Sequence, residues 1–158
     1  VNADRILQSF HEHKVDCILI GGMNFLLRHQ PVLTFDVDFW VRDNPDNLKN
    51  VNRALQDLGA SWGRSEKTWG PVPSDAQWLT RQVVFCLTSE HGAVDIFREV
   101  EGLPDFDACW QRSSVRQTEA GTPFRSLADE DMLACQLALN EGDRRLDRVA
   151  YLQKLLRK

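Results

Sequence analysis

No apolar run in this 158-residue chain is long enough to cross a bilayer. The first residues, with Asp4 and Arg5, carry no signal-peptide pattern. No membrane partner is therefore expected. Nor is there an excess of positive charge. Nineteen Lys and Arg stand against 23 Asp and Glu, and the net charge of −4 argues against a protein that coats nucleic acid indifferently. Metal-binding cysteine pairs are missing too. Cys17, Cys86, Cys109 and Cys135 are widely spaced with no Cys-x-x-Cys, and three of them lie in apolar segments. That usage reads as free thiols, buried, in a reducing cytoplasm. His11-Glu-His13 is not His-Glu-x-x-His, and its two histidines fall on different helical faces, so it reads as a helix end and not as a zinc site. No internal repeat or low-complexity tract occurs.

The length suits one domain spanning 1–158, with an ordinary apolar core. Apolar spacing predicts a helix over residues 4–13, a strand over 15–20, and a helix over 23–28 after Gly21-Gly22. A strand follows over 32–41. Asn44 or Asp46 then caps a helix whose stripe is Leu48, Val51, Leu55 and Leu58, closed by Gly59. Residues 60–80 are irregular and hold Trp62, Trp69 and Trp78. These rings read first as packing over a sheet edge and second as a stacking surface for a base. Two strands, 81–87 and 93–98, are joined by a hairpin-length connection. Beyond 102 come a short helix with Cys109 and Trp110, a polar stretch of strand or loop, and two further helices. Ser126 and Asp129 have the spacing of a capping box at the first of these. The last helix carries six basic and two acidic residues over 143–158, a solvated face or, failing that, a surface for a polyanion. The order β-α-β-α-β-β followed by helices predicts an α+β fold: a mixed sheet over about 15–98 flanked by helices, and a C-terminal helical part over about 103–158. An exposed hairpin on so small a domain leaves a homodimer or a partner protein open.

Chemistry concentrates in the acids. On a strand, Asp36 and Asp38 project from one face while Phe35, Val37 and Phe39 take the other and read as core. Adjacent carboxylates repel and resist burial. A divalent cation removes the conflict, since Mg²⁺ is typically held by one or two carboxylates with phosphate oxygens and water. Two solvated aspartates at a strand end are the plain alternative. Asp95, alone among Val94, Ile96 and Phe97, also needs a partner or a cation. Gly21-Gly22 permits close backbone approach and opens a helix whose free N–H groups suit an anion. It is neither a Walker loop nor a Gly-x-Gly-x-x-Gly turn.

Taken in order, Gly21-Gly22, then Thr34-Phe-Asp36-Val-Asp38, then Asp95, this pattern resembles the nucleotidyltransferase superfamily with its polymerase-β-like palm fold. The Thr-x-Asp-x-Asp wording looks especially like small bacterial members related to abortive-infection and toxin–antitoxin nucleotidyltransferases. The resemblance implies a transferase that moves a nucleoside monophosphate from an NTP such as ATP to an acceptor hydroxyl on a protein, an RNA or a small molecule, releasing pyrophosphate. It implies two Mg²⁺ ions on Asp36 and Asp38, with Asp95 sharing one and helping to deprotonate the acceptor. It further implies that Gly21, Gly22, Thr34 and Arg28 contact the nucleotide. Arg28, or else Arg42, would replace the Arg that small members carry where this chain has Val32. Gln136 and Arg144-Arg145 stand nearest to the family's C-terminal lysines. Those departures allow a second reading, a non-catalytic module that binds NTP or a partner protein. A third is an interaction domain with solvated acids.

Overall fold

Alternation along short strands decides the architecture, seen in a computed structural model that describes residues 1–157. The chain runs α1 (Ala3–Glu12), β1 (Cys17–Ile20), α2 (Gly21–Arg28), β2 (Asp36–Val41) and α3 (Pro45–Asp57). A two-strand ribbon of β3 (Ser61–Trp62) and β4 (Gly70–Pro71) follows, then β5 (Val84–Leu87), β6 (Ala93–Phe97) and α4 (Phe106–Arg112). The chain continues through β7 (Ser114–Gln117), β8 (Pro123–Ser126), α5 (Asp129–Ala138) and α6 (Leu146–Leu156). Six strands form one sheet in the order β5-β6-β2-β1-β8-β7. β2–β6 and β1–β8 are parallel, and the other neighbours are antiparallel. The expected α+β fold with a mixed sheet is the one that forms.

Each face of the sheet has its own core. Leu19, Val37, Phe39, Phe85, Val94 and Ile96 point toward α1 and α3, and the Phe10 ring stacks on Phe39 with centroids 4.0 Å apart. Ile18, Ile20 and Trp40 point the other way, against Phe25, Cys109, Met132 and Leu152 from the remaining helices. Local signals start the helices on the first side. Asn2 accepts from the Arg5 N–H at α1, and Asn44 accepts from the Asn47 N–H at α3 with Pro45 in the first turn. Trp62 and Trp78 lie against Phe85 at 5.5 and 5.1 Å, so these two tryptophans pack over the sheet edge.

Four expectations need correction. Strand β2 begins at Asp36, not 32, because β6 offers its first partner, Ala93, only there. Phe35 therefore lies outside the sheet and is 70% exposed instead of core. The sheet does not stop near 98. Residues once expected within the C-terminal helical part supply β7 and β8, whose four-residue length hides their alternation. Ser126 is no helix cap. It sits buried in β8, and Ala128 precedes α5 without a side-chain bond. Finally, all four thiols are free, but only Cys109 is fully buried and Cys86 is exposed.

Ser126 instead joins a buried polar cluster. Its hydroxyl donates to Asn24 Oδ1 at 2.6 Å, and Asn24 Nδ2 donates to the Leu127 carbonyl at 3.2 Å. Arg28 donates to Ser126 Oγ at 2.8 Å and pairs with Asp129 at 3.3 Å, which His29 also meets at 2.7 Å. These bonds fasten α2 to β8 and the start of α5. Asn24→Ala leaves the Ser126 hydroxyl and the Leu127 carbonyl short of partners in a dry site, so it is expected to destabilise the chain by about 2–3 kcal/mol. Urea denaturation measures this; a loss within about 0.5 kcal/mol, the range of a neutral surface change, would show that the cluster is dispensable.

Candidate active site

Register brings the acids together. The parallel pairing of β2 with β6 sets Asp38 beside Asp95, and the antiparallel pairing of β1 with β2 sets Ile20 beside Asp38. Asp36 lies two residues earlier on the same face. Asp36, Asp38 and Asp95 each present a carboxylate oxygen within 4.8 Å of the other two. Asp36 is exposed, while Asp38 and Asp95 are half-buried.

Crowding shows in their titration. Burial, the Asp95 charge and hydrogen bond, and then Asp36 hold the Asp38 carboxyl well above the ordinary carboxylate range. Asp95 is raised as well, chiefly by burial. The two behave as a pair that keeps a proton where isolated carboxylates would release it. Asp38 Oδ1 is buried and, among the described residues, has no hydrogen-bond partner. An orphaned acceptor amid three hard oxygen donors fits Mg²⁺ or a similar divalent cation, which prefers oxygen and tolerates several carboxylates.

The glycines make this arrangement possible. Strand β1 passes into α2 without an intervening loop, at Gly21, whose φ is +72°. A Cβ there would overlap the Asp38 carboxylate. A Cβ on Gly22 would lie 3.0 Å from both an Arg148 Nη2 and Thr34 Oγ1. Ile20 precedes the helix with no side-chain cap, so the first α2 N–H groups have no partner within the helix.

Gly21, Gly22 and Thr34 thus gather around the acids, whereas Arg28 does not. Its guanidinium is held by Ser126, Leu127 and Asp129, and its expected nucleotide contact is withdrawn. Arg42 is likewise taken, by Asp16 and Asp107. Arg148 on α6 supplies the positive charge instead. It reaches Gly22, lies close enough to Asp38 to feel its charge, and has no ion pair among the described residues. Gln136 bonds the Arg145 N–H at 2.7 Å, and Arg144 caps the Leu137 and Leu139 carbonyls. Those residues tie α5 to α6 and so place Arg148. Sequence spacing singled out the basic helix but not this member. Cys86 was also missed; it stands directly across from Asp95, and burial followed by that carboxylate raises its thiol pKa.

No protein-family model matches the chain, and neither does any curated protein. Solved structures do. The lincosamide antibiotic adenylyltransferase LnuA, crystallised with lincomycin bound, aligns with a TM-score of 0.61 at 18% identity, covering 95% of this chain and 93% of that one. A "putative nucleotidyltransferase" from Thermotoga maritima, TM1012, aligns at 0.53 and 16% identity, over 96% and 88%. The chain has the nucleotidyltransferase fold. Within that fold, the acids lie on the second sheet face beside the start of α2, and farther along β2 on the same face Trp40 packs against Phe106 of α4. Among the described residues, no helix is long and apolar enough to cross a membrane.

The raised carboxyls give a measurable sign. Between about pH 4 and their raised folded values, the folded chain binds more protons than the unfolded chain, so their contribution to stability falls as pH rises through that window. In chelator at pH 8, Asp38→Asn is therefore expected to be more stable than the unaltered chain by about 1–2 kcal/mol, and near pH 4 the difference should vanish. Thermal melts of both proteins across pH 4–8 test this; a difference independent of pH would contradict it.

Proposed function

We propose that this chain is a Mg²⁺-dependent nucleotidyltransferase that moves a nucleoside monophosphate from an NTP to an acceptor hydroxyl. The observation that carries this reading is the orphaned Asp38 oxygen. It lies within a cluster of three carboxylates, beside a helix start and an arginine that has no ion pair among the described residues. A structural ion pair would have satisfied the acids from within the chain. Here the acids and Arg148 are left apart, which suits a ligand that carries cations and phosphates together.

Asp36, Asp38 and Asp95 would hold the metal, and bound Mg²⁺ supplies charge neutralisation for the triphosphate and a lower barrier to loss of the acceptor proton. The chain's own groups account for the rest. The α2 N–H groups and Arg148 bind phosphate oxygens, and the missing Cβ atoms at Gly21 and Gly22 let them approach. Thr34 borders the same space. Asp95, the third carboxylate of the cluster, takes the hydroxyl proton. As the acceptor oxygen bonds to the α-phosphorus, the bond from that phosphorus to the β-phosphate bridging oxygen breaks, and pyrophosphate leaves.

Calorimetry with ATP and Mg²⁺ tests the site without knowledge of the acceptor. Binding should require Mg²⁺ and be lost in Asp38→Ala. Arg148→Ala should weaken it by about 1.5–3 kcal/mol, the range for a charge-assisted contact. ATP affinity unchanged by Asp38→Ala would overturn the assignment. Mg²⁺-dependent binding with no pyrophosphate release across protein, RNA and small-molecule acceptors would instead favour a non-catalytic NTP sensor acting through a partner.

A further inference from the structure

The acids border two unlike neighbourhoods. On one side lie Gly22, Thr34 and the free Arg148 guanidinium. Beside them, over Gly21 and Asp38, opens a cleft of about 610 Å³ between β5, the segment after β6, and α5. Asp38 and Gly21 reach its floor, so cleft and acids form one continuous space. Its volume falls in the range that holds a drug-sized molecule and is small for a folded macromolecule.

Its walls are apolar and uncovered. Val83 and Val84 are 42% and 38% exposed, Leu139 is 37% exposed across the gap, and Phe97 and Val100 lie between. A cluster of exposed aliphatic side chains lining a concavity calls for a ligand more than scattered surface residues do. Glu99 and Glu101 complete the wall, both exposed. Neither has a salt bridge among the described residues. Adjacent Arg98 could have neutralised them, but it pairs with Asp43 at 3.0 Å. The cleft thus combines apolar surface with two unneutralised negative charges beside the acid cluster.

Electrostatics sorts ligands between the two sides. A triphosphate is drawn toward Arg148 and the α2 start, and is repelled by Glu99 and Glu101. An anionic acceptor, such as an RNA end, is repelled likewise. We propose that the cleft is the acceptor subsite, and that it takes a small amphiphilic amine bearing the reacting hydroxyl. The proposal rests on the nucleotidyltransferase reading of Asp36, Asp38 and Asp95. The ammonium sits against the glutamates and the hydrocarbon part against Val83, Val84 and Leu139, which directs a hydroxyl toward Asp38 and Asp95. The hydroxyl proton passes to the Asp95 carboxylate, the oxygen bonds to the α-phosphorus, and pyrophosphate departs, leaving a phosphodiester. Negative surroundings also keep the amine protonated and without a lone pair, so the transfer selects oxygen over nitrogen.

A matched pair of probes tests the idea on the full chain. N-octyl-D-glucamine is a cationic amine with a polyol and an alkyl chain; N-octanoyl-N-methyl-D-glucamine is its neutral amide counterpart. Calorimetry at pH 7 in the presence of Mg²⁺ should show the amine binding about tenfold tighter or better, a difference of one desolvated charge contact. The double variant Glu99→Gln with Glu101→Gln should abolish that preference while leaving the Kd for ATP with Mg²⁺ within about twofold. Equal binding of the two probes to the unaltered chain overturns the proposal. Loss of ATP affinity in the double variant also overturns it, by giving the cleft to the nucleoside. A Lys- and Ser-containing peptide that displaces the amine overturns it in favour of a basic protein acceptor. If the amine preference stands but the unaltered chain binds no ATP with Mg²⁺, nucleotidyl transfer fails, and the acceptor role falls while amine binding stays.

Discussion

Pairing β2 with β6 in parallel and in register places Asp38 beside Asp95, and the rest of the structure accommodates that choice. Two carboxylates cannot share a half-buried sheet face without cost, and Asp36 adds a third charge. The opposite face bears the compensation. There Val37, Phe39, Val94 and Ile96 from the same two strands are fully buried beneath α1 and α3. The strands are thus held in place by one side so that the other can tolerate repulsion. Alternation with a period of two is what lets the same few residues do both.

Charge of the opposite sign is present but withheld. Arg28, Arg42, Arg98 and Arg112 all pair with carboxylates elsewhere, at Asp129, Asp107, Asp43 and Asp131. Arg148 approaches the acids yet does not neutralise them. This separation sets the cluster apart from an internal salt-bridge network, which would satisfy itself on folding. On the far side of the acids, Glu99 and Glu101 make the surroundings asymmetric, basic toward α6 and acidic toward the cleft. A ligand that joined the two sides would carry negative charge at one end only.

The acids and glycines were legible from local rules. Asp36 and Asp38 declare their shared face by spacing, Asp95 stands out as a charge among apolar neighbours, and Gly21-Gly22 marks a strand end before a helix. Their convergence is a register, which spacing on one strand does not contain. The residues misjudged or missed are those whose partners lie far along the chain. Arg28 looked available because Ser126 and Asp129, which hold it, sit on β8 and α5. Ser126 had the right spacing for a cap but lies inside a strand paired with β1. Arg148 was one of six basic residues over 143–158, and only the packing of α6 against α2 distinguishes it. Phe35 fits a strand pattern and fails because β6 starts one residue too late to cover it.

The direct passage from β1 into α2 at Gly21 would couple the ligands of the proposed function. The strand that flanks the acids and the helix that opens toward phosphate form one continuous stretch of backbone, and Asn24 and Arg28 anchor its far end. Under the proposed function, cation and triphosphate would be thermodynamically linked, each changing the affinity for the other by the same factor. Either one alone would meet a poorly matched half-site, so the chain should discriminate the complete metal–nucleotide complex from its separate parts.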